Sequence, residues 1–553
     1  MDSSGLHSQR LDHLGIVAGI CNEIGLIEQI NEKIGPNKRK VSVGQAVQAM
    51  VLNGLGFVSR PLYLSPEFFE NKPVELLVGE GVTAADLSDD CLGRALDALF
   101  EGGVTEVFAS VSAHALRVFD IQIRHAHLDN TSFGLHGEYE QDGGDDDNEA
   151  DAPEDGEPIP IEITRGYSRD HRPDLKQAVM SMICANQSNL PIWMEALSGN
   201  IADTSSFRDT VAAYLTQFGE DQEMPLLVAD AALYNEATLQ AMPEDARWLS
   251  RVPATLKAVK QLYTQIDEAD MGVVDEDTRS TEIGSYYAGV KQRWLLVLHE
   301  PTRQRQHETL NQRVEKERER AQQALQRLMN KDFGCEDAVH KAVKALKKKW
   351  RYHDVTPTIR TEKRYHQPGR PTEDTPFDTV WCFNAELVQD EDRIENARTS
   401  HGKYVVATND LDETRLGALE MLTTYKSQST SVERGFRFLK DPMFFADSLF
   451  LKKPSRIMAL LMVMGLSLLV YALAEHQIRQ QLAERGETLP DQTGKPTQRP
   501  TARRVFQMME GVDVLTIERD GIQQRLILNL TDLRKQILRL FGPHVRKLYD
   551  LLE

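Results

Sequence analysis

Cysteine is scarce: five in 553 residues, at Cys21, Cys91, Cys184, Cys335 and Cys382. None belongs to a CxxC pair and none has a histidine partner nearby. This argues against a zinc site or a disulfide framework and fits reduced, mostly buried thiols in a cytoplasm. The opening MDSSGLHSQRLDHLG lacks the basic start and apolar run of a signal peptide. Long hydrophobic runs are almost missing too. One stands out, IMALLMVMGLSLLVYALA at residues 457–474, uncharged and at the lower length limit for crossing a membrane. It is solitary in a polar sequence, and a helix buried on all sides of a large domain gives the same signal. It reads as core, with no membrane partner.

Positive charge is also short, with a net charge of −20. Residues 140–158 hold ten of the acids, no Lys or Arg and no aromatic residue, and so account for half of that deficit. The stretch reads as a disordered surface loop. Elsewhere basic clusters stand at residues 347–351 (KKKWR), 360–370 (RTEKRYHQPGR) and 495–504 (KPTQRPTARR). Phosphate contact depends on local charge, so the acidic total does not exclude a DNA partner. A composition of 41% hydrophobic and 27% charged residues is that of a soluble globular protein. The length implies about two to four domains.

Along the chain, residues 1–115 show apolar spacings of three and four and read as a helical N-terminal domain, a candidate for DNA binding. Ser88 before Asp89 and Asp90 is an expected N-cap. From residue 116 the pattern changes to strands: FDIQIRHAHLDNTSFGL, then PIPIEIT, QAVMSMICAN, MPLLVAD and RWLSRVP, with a helix after MPLLVAD. This predicts an α/β fold with a mixed sheet and helices packed on it over residues 116–255. Residues 256–404 carry strand-like RWLLVLHE, a long charged helix (ETLNQRVEKERERAQQALQRLMNKD) and strand-like TVWCFNA. Residues 405–480 end the strand GKYVVATND and run into a helical pattern through LGALEMLTTYKSQSTSVERGFRFLK. Residues 481–553 form a C-terminal region with a strand pair around Asp520–Gly521.

Three acids stand out by position. Asp129 closes an apolar strand in HLDNTSF, Asp230 closes LLVAD at a strand-to-helix junction, and Glu433 lies on the late helix. Acids at strand ends can face a shared crevice outside a sheet. Taken singly, each has a plain use: a turn, a helix cap, or an i,i+4 pair of Glu433 with Arg437. Three convergent carboxylates suit magnesium, and two ions about 3.5–4 Å apart suit in-line attack on a phosphodiester.

HLDNTSF, VADAALYNEATL and YKSQSTSVERGFRFLKDP together resemble the three catalytic blocks of DDE transposases of bacterial insertion sequences. More narrowly they resemble the insertion-sequence-four group, whose core is RNase H-like. LPIWMEALSGNIADTSSF and YVVATNDLDE are similar to linking pieces of that group. The resemblance implies a mixed sheet core split by an insertion domain at 256–404, ahead of the glutamate helix. It implies that Asp129, Asp230 and Glu433 are catalytic and hold two Mg²⁺ ions, with Mn²⁺ able to substitute. Tyr425 and Lys440 are implied to contact transposon-end phosphates. Gln428 departs from the group signature, which has an arginine there; an amide can hydrogen-bond a phosphate oxygen but brings no charge. Arg434 or Arg437 would then supply it. The implied partners are double-stranded DNA, both terminal inverted repeats and target, and a second copy of the chain in a synaptic complex, with residues 481–553 a candidate for that pairing. The implied activity is metal-dependent end cleavage followed by joining of 3′-hydroxyls to target DNA, with a hairpin step only by analogy. The implied location is the bacterial cytoplasm, at the nucleoid. A metal-dependent nuclease without strand transfer and an inactive DNA-binding inhibitor are the competing readings. Trp248, Trp294 and Trp350 read as core residues ahead of base-stacking ones, and residues 368–371 as a turn.

Overall fold

The computed structural model describes residues 6–36, 39–58, 61–136, 139, 158–167, 172–186, 188–217, 223–366, 368–441, 451–519 and 522–551. The acidic stretch lies outside these residues up to position 157. The chain forms two compact units. One comprises Met1–Ser250, Tyr287–Val290 and Glu420–Glu553; the other comprises Arg251–Tyr286 and Lys291–Leu419.

The first unit is organised by five strands: β1 (His125–Leu135), β2 (Lys176–Ala185), β3 (Leu190–Ser198), β4 (Leu226–Ala229) and β5 (Trp248–Arg251). Their spatial order is β3-β2-β1-β4-β5. The first three pair antiparallel, β4 runs parallel to β1, and β5 parallel to β4. That order and direction define an RNase H-like core. β2 is buried at every position after Lys176, the pattern of a strand covered on both faces.

Helices cover both faces. α1 (Val104–Val118) packs on β3, where Ser112 Oγ donates to the Pro191 carbonyl at 2.8 Å. α2 (Asp203–Leu215) lies on the face that carries Asn130 and Glu195: Asn130 Nδ2 donates to Ser206 Oγ at 2.7 Å, and Thr210 Oγ1 donates to the Glu195 carboxylate. On the other face lie α3 (Ala418–Lys426), α4 (Val432–Leu439) and α5 (Pro454–Arg485). By length and composition α5 would cross a membrane, yet its most apolar window is wholly buried inside the protein. It packs against β3, α1, α4 and three N-terminal helices, Leu14–Glu23, Val43–Leu55 and Asp89–Glu101. An all-round apolar helix needs cover on every side. This is why the N-terminal helices and the sheet fall in one compact unit. Ser88 caps Asp89–Glu101 by accepting from Cys91 N, and Ser42 forms a capping box with Gln45.

Three local readings differ from the sequence expectation. PIPIEIT is not a strand; Thr164 alone makes a bridge, to Gln177. Leu6–Arg10 is a strand, paired antiparallel with Asp513–Arg519 of the C-terminal hairpin. The late helix is broken: a 3-10 turn, Ser427–Thr430, separates α3 from α4, and Ser431 leaves helical geometry at φ −102°, ψ −106°. Serine side chains compete with the helical backbone there, with Ser431 Oγ donating to the Ser188 carbonyl at 2.5 Å. All five cysteines are free: Cys21, Cys184 and Cys382 are buried, Cys91 is half-buried and Cys335 exposed.

In the second unit, Val290–His299 pairs antiparallel with Lys403–Thr408. The charged helix Glu300–Met329 buries only Leu310, Val314, Ala321 and Leu325, a single stripe. Ala321 and Leu325 join Val339, Val343, Trp350, Val355 and Phe383 in one core, and Leu310 and Val314 join Tyr352 and Ile394 in another. Trp248, Trp294 and Trp350 are all buried, as core packing requires.

Candidate active site

Asp129 is the fifth of the eleven residues of β1 and does not end its strand, contrary to the sequence reading. The reason is its two neighbours. β2 pairs with β1 from Ala126 to Leu135, whereas β4 pairs only as far as Leu128, opposite Ala229. Asp129 therefore stands where the parallel neighbour turns away. Asp230 follows Ala229, the partner of Leu128, so both aspartates lie one residue beyond the last pair of this parallel ladder. Each carboxylate is held by backbone: Asp129 Oδ1 accepts from Asn130 N and Asp230 Oδ1 from Ala232 N, both at 2.8 Å. Ser250 Oγ donates to the Asp230 carbonyl at 2.7 Å, which ties the start of this loop to β5.

Glu433 reaches the same region from α4. Asp129 pairs across the ladder with Met182, so the two share a face. A β-carbon on Gly435 would lie 3.3 Å from Met182 Cε and 2.9 Å from Leu468 Cδ2, so α4 is pressed between that face and α5. Val432, Gly435, Phe436 and Leu439 are buried at helical spacing, which turns Glu433 and Arg437 outward. Two attachments set the direction of the helix. At its start, Gln428 Nε2 donates to the Leu128 carbonyl at 3.3 Å, and Ser427 Oγ lies 3.3 Å from His127 Nε2. At its end, Lys440 Nζ sits 5.8 Å above the centre of the Phe133 ring. The helix thus follows β1 from the level of Leu128 to that of Phe133, with Glu433 in its first turn near the level of Asp129.

Among the described residues no three of His, Cys, Asp and Glu stand close enough to hold one ion. Asp129 and Asp230 each follow the Leu128–Ala229 pair on neighbouring parallel strands, and Glu433 is an exposed residue of α4. Among the described residues Glu433 has no hydrogen-bond or ion-pair partner; Arg437 donates instead to the Ser429 carbonyl, at 3.3 Å. As donors the three acids offer only hard carboxylate oxygens, the chemistry that suits magnesium.

A family model described as the transposase DDE domain matches residues 123–471, from the strand that carries Asp129 into α5. The chain belongs to the DDE transposases. A second model, a domain of unknown function (DUF4277), matches residues 6–113 of the transposase. No curated protein matches the chain.

The candidate DNA contacts of the transposase divide into outward and inward groups. Arg437 is exposed, and Tyr425 and Lys440 are half-buried. Gln428 is buried at 6% exposure, its amide spent on the β1 backbone next to Asp129. Arg434 is clamped by Glu475, with Nη2 at 2.7 and 2.9 Å from its two carboxylate oxygens. Glu475 also accepts from Arg479, at 2.8 Å, and from Ala502 N, at 3.0 Å. The sequence reading passed over Glu475, though a signal was there: it is the first charge after the uncharged run at 457–474. A charge continuing so apolar a helix is buried with it and needs partners. His127 was passed over as well. Burial, with His125 adding to it, pushes its pKa down to about 3, so the imidazole is neutral beside Ser427.

Proposed function

We propose that this transposase binds the terminal inverted repeats of an insertion sequence, cleaves the ends by metal-assisted hydrolysis and joins the freed 3′-hydroxyls to target DNA. The observation that supports this reading best is that Asp129 and Asp230 each follow the Leu128–Ala229 pair on neighbouring parallel strands, with the Glu433 helix running along the sheet face that carries Asp129. These three carboxylates would hold two Mg²⁺ ions, or Mn²⁺ in their place. When bound, the ions would activate the attacking oxygen and stabilise the leaving one. The two aspartates are pre-set by their backbone hydrogen bonds. Glu433 is exposed and swings on its own rotamers to complete the set when DNA arrives. Lys440, Arg437 and Tyr425 hold end phosphates along α4. Gln428 and Arg434 contribute by fixing the turn before that helix and the helix itself. Residues 1–115 extend the DNA grip, and residues 481–553 pair two copies across two ends, at the nucleoid in the cytoplasm.

The test is a labelled terminal-repeat duplex incubated with the full chain and Mg²⁺ or Mn²⁺. Wild type is expected to cut at the repeat end and to join the product to a target plasmid. Glu433→Ala is expected to lose cleavage by several orders of magnitude while binding the repeat with unchanged affinity. Cleavage retained by Glu433→Ala removes the assignment. Cutting without joining favours the nuclease reading, and denaturing gels separate a hairpin product from an open nick.

A further inference from the structure

Glu475 ties the Glu433 helix to a strap of chain at residues 495–504. Residues 495–504, KPTQRPTARR, contain four cations and no acid, in a chain of net charge −20. The strap begins in a tight hairpin, Leu489–Pro490 against Pro496–Thr497, with Asp491 Oδ1 accepting from the backbone of Thr493 and Lys495. It then crosses the end of α5. Arg479 Nε donates to the Pro500 carbonyl at 3.2 Å, and Ala502 N donates to Glu475. It finishes beside the end of α4, where Arg503 pairs with Asp441 at 2.6 Å, one residue past Lys440. Arg503 N also donates to the Tyr471 hydroxyl at 3.2 Å. The backbone of the strap is therefore fastened at several points to α5, and the Arg503 side chain ties it to Asp441 just past the Glu433 helix.

Arg503 is balanced by Asp441, but this fastening does not balance Lys495 and Arg499. The single buried carboxylate of Glu475 serves both Arg434 and Arg479. Burial lowers the Arg479 pKa; the Glu475 carboxylate opposes that shift, while Arg434 and Arg499 stand near enough to add to it. Lys495 and Arg499 are exposed, and neither has an ion-pair partner among the described residues. Mutually repelling cations held in place by a rigid backbone are stabilised by an external anion, and repeated phosphates supply one.

We infer that the strap at 495–504 is a DNA-backbone contact of this protein, in which Lys495 and Arg499 extend the cationic edge of the Glu433 helix onto the phosphates of the bound end. The inference rests on the transposase reading above. Both residues lie on the surface, so the contact is sequence-independent and registers the duplex without reading it.

The experiment is binding of the full chain to the labelled terminal-repeat duplex without divalent metal, over a series of salt concentrations. Lys495→Gln with Arg499→Gln is expected to bind on the order of tenfold more weakly at low salt. The slope of log K against log salt is expected to fall by about 1.8, from two lost phosphate contacts. Lys495→Arg with Arg499→Lys keeps the charges and is expected to restore the slope. An unchanged slope in the Gln pair overturns the inference while leaving the transposase reading intact. Failure of the wild type itself to bind the duplex overturns the reading, and the inference with it.

Discussion

His127 is fully buried on β1, two residues before Asp129, and faces the turn that starts the Glu433 helix. Its folded pKa of about 3 lies below the ordinary 6.5. Between those values the unfolded chain binds a proton that the folded chain refuses, so stability is complete above pH 6.5 and falls as pH drops through the window. The slope approaches about 1.4 kcal/mol per pH unit. Between pH 6.5 and 5, wild type is expected to lose roughly 2 kcal/mol more than His127→Gln, measured by urea denaturation at each pH. Parallel curves for the two proteins would remove His127 from the account. The acids themselves show how far single residues could be read. Asp230 stands one residue past the end of its strand, close to where LLVAD implies, whereas Asp129 sits mid-strand because β2 continues to pair beyond it. Gln428 was expected on phosphate from its motif position, but no local pattern reveals that it turns inward.

Among the elements, the Glu433 helix is eight residues long and cannot stand alone in water. It is held by a buried apolar stripe, by Gly435 against Leu468, and by the Arg434–Glu475 clamp. Glu475 is 2% exposed, and removing it strands two guanidiniums. Glu475→Ala is expected to cost roughly 3–5 kcal/mol in chemical denaturation, and Glu475→Gln less, because an amide still accepts from Ala502 N. A cost under about 1 kcal/mol would mean that water already replaces the clamp. The elements most legible in the sequence are those whose apolar spacing meets one partner surface. Glu300–Met329 is one, through Leu310, Val314, Ala321 and Leu325. Leu6–Arg10, LHSQR, has no alternation to read; it is a strand because Asp513–Arg519, at the far end of the chain, offers it an edge.

For the whole molecule, the long apolar helix decides where the N-terminal helices go. α5 is covered by the sheet on one side and by Leu14–Glu23, Val43–Leu55 and Asp89–Glu101 on others. The expressed chain is expected in the supernatant after membranes are pelleted; recovery with the membranes, resistant to carbonate, would contradict a buried α5. Leu468→Arg, at a fully buried position against Gly435, is expected to yield insoluble protein.

The sequence by itself determined the kinds of parts: apolar runs ended by acids, a motif holding Glu433 with Lys440, an uncharged helix and local islands of positive charge. Each follows from residue type and spacing, which act over a few neighbours. Only the tertiary structure decided what meets what. The parallel pairing of β1 with β4 ends one residue before both Asp129 and Asp230, and burial turns Gln428 and Arg434 inward. The Glu475 clamp brings the strap at 495–504 to the Glu433 helix. These pairings join residues far apart in the chain. Their energy comes from shared burial and desolvated charge, which exist only once the surfaces have closed.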